Sequence, residues 1–145
     1  MIQRIQSIWL LLAALTNAGL FYFCLYSGHV MENGADTVKY LRVSDHYPSL
    51  LIALVTVLLP LVTIFMFKNR KRQRSMIFVS ILVCLSFISM TLIRVNKFTR
   101  QVPAPTDTTY RVAAILPALA IIFLILAIRG ISKDEKLVKS LDRLR

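Results

Sequence analysis

Residues 50–93 read LLIALVTVLLPLVTIFMF-KNRKRQRS-MIFVSILVCLSFISMTLI. Two uncharged apolar runs, Leu50–Phe67 and Met76–Ile93, flank a connection that carries five basic residues, Lys68, Arg70, Lys71, Arg72 and Arg74. As a helix rising about 1.5 Å per residue, each run is about 27 Å long, close to the roughly 30 Å of a bilayer's hydrocarbon core. So short a link predicts a tight antiparallel hairpin of two transmembrane helices. Its basic turn is a topology anchor on the cytoplasmic face, since Lys and Arg are retained there. In a soluble chain the same run would suggest a nucleic-acid patch. Between two spans it does not, and no nucleic-acid partner is expected.

Working outward, Ile5–Tyr26 and Val112–Ile128 are two more uncharged runs. The first is read as an uncleaved span rather than a signal peptide, because Leu20, Phe21, Tyr22, Phe23 and Leu25 extend it past the small residues near Asn17. The fold expected is therefore an all-α membrane protein. Its four transmembrane helices form two antiparallel hairpins at about 5–26, 50–67, 76–93 and 112–128, making a domain over residues 1–131. Between the first two spans, Asn33-Gly34 is a turn signal and Val38, Tyr40 and Val43 stand among polar residues, which is compatible with a short hairpin folding over the helix ends. Pro103 and Pro105 interrupt the later loop.

Basic residues decide orientation. Twelve Lys and Arg fall with the N-terminus, the 68–74 turn and the tail, and six with the two long loops, so both termini are expected in the cytoplasm. The same bias accounts for a net charge of +11 at 57% hydrophobic composition, too apolar for so small a soluble domain. In the tail, residues 132–145, Ser132 and Glu135 have capping-box spacing and predict a new amphipathic cytoplasmic helix. Leu137, Val138, Leu141 and Leu144 would form its apolar docking stripe, facing lipid or a protein.

The four runs contain no ionisable side chain, which argues against a proton-coupled antiporter or an intramembrane protease. Cys24 and Cys84 lie at different depths, so no disulfide is expected, and no cofactor or metal site can be composed from His29 and His46. Within the spans, Ser and Thr are expected to bond back to their own helices. Asn17 is the most suggestive polar residue, a buried amide that needs a partner on another helix. Pro60 and Pro117 are expected to kink the second and fourth spans. These three residues form the expected packing or interaction surface.

The ends, MIQRIQSIWLLLAA at 1–14 and AIRGISKDEKLVKSLDRLR at 127–145, resemble an uncharacterised family of small four-helix inner-membrane proteins of Bacteroidota. The resemblance implies a multi-pass protein of a bacterial inner membrane and supplies no catalytic residues. The function expected is a non-enzymatic accessory or structural subunit, with the lipid bilayer and one or more membrane proteins as partners. The alternative is a small homo-oligomeric transporter or channel with Asn17 beside its path.

Overall fold

The computed structural model describes residues 3–32, 35–67, 69–100 and 105–142. Helix α1 (Gln3–Ala18) ends in a single 3-10 turn, Gly19–Phe21, and leads into strands β1 (Tyr26–Glu32) and β2 (Ala35–Leu41). Helices α2 (Tyr47–Phe65) and α3 (Arg70–Thr99) follow, then β3 (Thr106–Tyr110), a second 3-10 turn at Val112–Ala114, and α4 (Leu116–Asp142). The chain is mostly helical. Three of its helical segments, Tyr47–Phe65, Arg70–Thr99 and Val112–Glu135, are long and apolar enough to cross a membrane by length and composition.

The buried residues recur with one spacing. They are Gln6, Leu10, Ala13, Asn17 and Leu20 on α1 and its 3-10 turn, and Ser49, Ala53, Thr56, Pro60 and Thr63 on α2. On α3 the stripe runs through Gln73, Ile77, Ser80, Cys84 and Phe87, and on α4 through Ala120, Leu124, Ala127, Ile131 and Asp134. Steps alternate between three and four residues, the period of left-handed helical bundles with knobs-into-holes packing. In each of the three long segments 28% of the apolar window is buried, close to two positions in seven. Small and polar residues fill the seam, which lets the backbones approach. Large apolar residues such as Leu51, Leu58, Phe78, Leu82, Ile122 and Ile125 face outward. That arrangement inverts a water-soluble protein and suits a lipid solvent. Helix α1 packs on α4 and α2, and α3 on α2 and α4, which closes the four helices into a ring.

The expectation of an all-α fold is corrected at one end of this bundle. A three-stranded antiparallel sheet of order β2-β1-β3 lies there, with Tyr26 paired to both Leu41 and Tyr110. The β1–β2 hairpin agrees with the turn signal at Asn33-Gly34, whose own placement lies outside the described residues. The sheet also shortens the first helix, which is not among the three long enough to cross a membrane. Leu25 donates its N–H to Leu41 O and accepts from Arg111 N, while the Tyr26 ring packs edge-on against Phe98 and Tyr110. Residues 22–26 thus leave the helix, and α1 is 16 residues long instead of continuing to Tyr26. With its 3-10 turn it covers about 30 Å.

Two further expectations change. Helix α4 passes through Ser132 unbroken, so no separate tail helix begins there. The seam continues through Ile131 and Asp134, and Glu135 pairs with Arg74 instead of turning back to cap Ser132. Pro117 is the second residue of α4, in the first turn, where the missing N–H breaks no helical bond. It starts a helix and does not kink one.

Candidate functional site

Pro60 sits in mid-helix, and a helical proline removes the N–H that would reach the carbonyl four residues earlier. That carbonyl belongs to Thr56. Asn17 Nδ2 donates to Thr56 O at 3.1 Å and lies 3.6 Å from Cys84 Sγ across the ring. A carbonyl only accepts, so the amide nitrogen must be the atom that faces it. An amide from α1 thus replaces the backbone donor that Pro60 takes from α2. Asn17, Thr56 and Cys84 are fully buried at the junction of two apolar clusters, one toward the sheet around Phe87 and Leu20, the other around Leu10 and Leu124. Asn17 Oδ1 is buried without a hydrogen-bond partner among the described residues. The structure therefore joins Asn17 to Pro60, but leaves Pro117 out. Pro117 instead helps line an apolar cavity of about 230 Å³ under the sheet, with Leu25, Phe87, Thr91 and Tyr110.

The other hydroxyls behave as expected. Thr16, Thr63, Ser80, Ser86, Ser89 and Thr91 each donate to a carbonyl four residues back, and Thr56 donates to Ala53 O at 2.7 Å. Each donates its proton within its own helix, the usual back-bonding of Ser and Thr. Cys24 and Cys84 are both free thiols.

At the bundle end opposite the sheet, Asn69 caps α3 by accepting from Arg72 N at 3.3 Å. The basic residues expected in a loop therefore occupy the first helical turns. Arg70 lies 3.5 Å from Asp134, and Arg74 pairs with Glu135, both partners being on α4. Lys71 and Arg72 are exposed. Lys68 lies outside the described residues. Positive charge at a helix N-terminus opposes the helix dipole, and the two acids of α4 offset it. Gln73, within the same run, turns inward and donates to Thr63 O at 3.4 Å. Gln6 packs against Gly130, where an added Cβ would lie 3.1 Å from Gln6 Cγ. The side chains of Leu137, Val138 and Leu141, and the whole of Leu144, lie outside the described residues.

At the sheet end Arg94 donates through Nη1 to Arg42 O at 3.1 Å and to Ser49 Oγ at 3.3 Å. Arg111 Nε donates to Ser27 Oγ at 2.9 Å, and with the Arg111 N–H on Leu25 O it fastens the start of α4 to the sheet. Sequence reading singled out neither arginine; each follows an apolar run or precedes one, which is the available signal.

A seam of small and polar residues, an amide inserted at a proline gap and paired ends describe a packing device. The model of the domain of unknown function DUF4293 matches residues 2–144. The chain belongs to that family. No curated protein matches it. As a DUF4293 protein it has its proline gap, its ion-paired turn and its sheet inside the matched region.

Proposed function

We propose that this DUF4293 chain is a four-span protein of a bacterial inner membrane, of the Bacteroidota type, with both termini in the cytoplasm and the sheet outside. In that membrane it acts as a non-enzymatic accessory subunit of a larger assembly. The observation that carries the reading is the length of α4. Gly130 packs on Gln6 of α1, Asp134 pairs with Arg70 in the first turn of α3, and Glu135 pairs with Arg74. The helix continues to Asp142, about 10 Å further. In sequence, Val138 and Leu141 continue the alternation of three and four that Ile131 and Asp134 carry. A heptad register that the sequence continues past these pairings is suited to a helix from another protein. The bonds of Asn17 and Gln73 and the ion pairs of Arg70 and Arg74 all join one helix to another, which supports a scaffold over a catalyst.

The test is assembly at natural abundance. Tagged in its own membrane and extracted in mild detergent, the chain is expected in a complex that contains a different polypeptide, from which the double variant V138K/L141K dissociates. A chain recovered alone, or a complex indifferent to those changes, overturns the proposal. One observation favours a second reading, a homo-oligomeric transporter: the unpartnered Asn17 Oδ1, which would serve a polar path. A self-symmetric oligomer whose flux is lost on Asn17→Leu would establish it.

A further inference from the structure

Where α3 leaves its apolar run, a cavity of about 260 Å³ opens between the N-terminus of α2, the end of β2 and the last turns of α3. Its polar lining consists of His46, Arg94 and Lys97, and its apolar lining of Leu41, Met90, Ile93 and Phe98. The three polar groups present donors only. Arg94 commits Nη1 to Arg42 O and Ser49 Oγ, and its Nε and Nη2 have no partner among the described residues. Those bonds hold the guanidinium against the head of α2 while three N–H groups stay free. His46 caps α2, its Nδ1 accepting from Ser49 N and lying 3.0 Å from Ser49 Oγ. An accepting Nδ1 puts the proton of the neutral ring on Nε2, a further donor. Lys97 is exposed and makes no bond or ion pair among the described residues. Asp45, which accepts from Arg42 N, acts on Arg94 from outside the lining. Among the described residues no carboxylate lines the cavity.

A pocket of donors and cations over an apolar floor, at the depth where a span meets its interface, selects an anionic head joined to an apolar chain. Ile93 is 53% exposed and continues the floor down α3 into the belt of outward-facing side chains. Resting on the membrane reading above, we propose that this cavity is a specific site for the phosphate-bearing headgroup of an anionic membrane lipid. Arg94 and Lys97 would bind the phosphate, His46 Nε2–H would donate to the head, and the first methylenes would lie on Met90, Ile93 and Phe98. The free N–H groups of a held guanidinium suit a phosphate.

The experiment is native mass spectrometry of the purified full chain in detergent, with equal amounts of phosphatidylglycerol and phosphatidylcholine added. Preferential retention of phosphatidylglycerol is expected. K97Q, which removes no bond of the fold, should lower it about two- to fivefold, as an exposed charge pair would. Arg94→Gln should lower it about tenfold, the loss of one charge-assisted hydrogen bond. A control pair at the opposite end, K71Q/R72Q, should leave it unchanged. Equal retention of the two lipids, retention that follows K71Q/R72Q, or indifference to K97Q overturns the site. Displacement of the lipid by inorganic phosphate at equal concentration would show a free-anion site and also overturn it. The measurement uses the isolated chain, so a missing assembly partner does not affect it. A chain absent from the membrane fraction overturns the membrane reading and the site together.

Discussion

Replacing Asn17 by Leu keeps the branched shape, with two methyls for the amide O and N, at a fully buried position but withdraws the donor from Thr56 O. With Pro60 in place no backbone N–H stands four residues on, so that carbonyl loses its partner where water cannot reach it. Hydrogen bonds between membrane helices are worth about 0.6–2 kcal/mol, and the leucine also removes the unpartnered Oδ1, which offsets part of the loss. The expected cost is about 1–1.5 kcal/mol, near a tenfold change in the folding equilibrium. The reasoning is separable from simple packing by a double-mutant cycle with Pro60→Ala. Alanine restores the N–H to Thr56 O, so Asn17→Leu should then cost about 0.5 kcal/mol or less, a coupling near 1 kcal/mol. Reversible unfolding in mixed detergent micelles, followed by circular dichroism, measures all four corners. Equal losses in the two backgrounds would show that Asn17 does not stand in for the missing N–H, and the account of the node would fail.

Gly28→Ala should destabilise the protein by about 1–3 kcal/mol, read as a lower melting temperature, because its Cβ would meet Phe98, Pro105 and Thr108 from three sides at 3.1 Å. Gly19→Ala should cost much less, since its one tight contact, at 2.9 Å, is with the movable end of Leu116, and Phe23 lies at an ordinary 3.7 Å. The coupling between Arg74→Gln and Glu135→Gln should be about 0.2–1 kcal/mol and shrink with added salt, the side chains being 33% and 24% exposed. Reporters fused at Gly34 and Lys71 should fall on opposite sides of the membrane; Lys71 is chosen because Gln73 is buried. Activity on the same side at both positions would overturn the proposed topology, and an exchange of the two sides would reverse the proposed orientation.

The apolar runs were legible as helices because 18 uncharged residues leave few alternatives in length. The seam was legible too, though from small and polar residues instead of large apolar ones: Ser49, Ala53, Thr56, Pro60 and Thr63 show its period without any structure. Searching a membrane helix for its hydrophobic stripe finds the lipid face. Thr106 to Tyr110 carried a strand signal in its three threonines and a tyrosine, masked by Pro103 and Pro105 beside it. The end of α1 was not legible, since residues 22–26 are apolar in either role and only pairing with distant Leu41 and Arg111 assigns them. Ser132 and Glu135 matched a capping box, yet Arg74, sixty-one positions earlier, claimed the glutamate. For the Asn17 node the sequence held one clue: a proline at 60 names residue 56 as the carbonyl in need of a donor.

The central strand of the sheet is β1, and its second neighbour is the last strand to be synthesised. Roughly 65 residues, including α2 and α3, separate the end of β2 from the start of β3. At ribosomal rates of about 5–20 residues per second, the early hairpin waits some 3–13 s with one edge of β1 unpaired. Through that interval it is a template open to any other strand. Arrival of β3 closes the edge and, through Arg111, draws the start of α4 to Leu25. The sheet therefore also records how far synthesis has gone: a chain that stops short of Thr106 keeps one edge of β1 open.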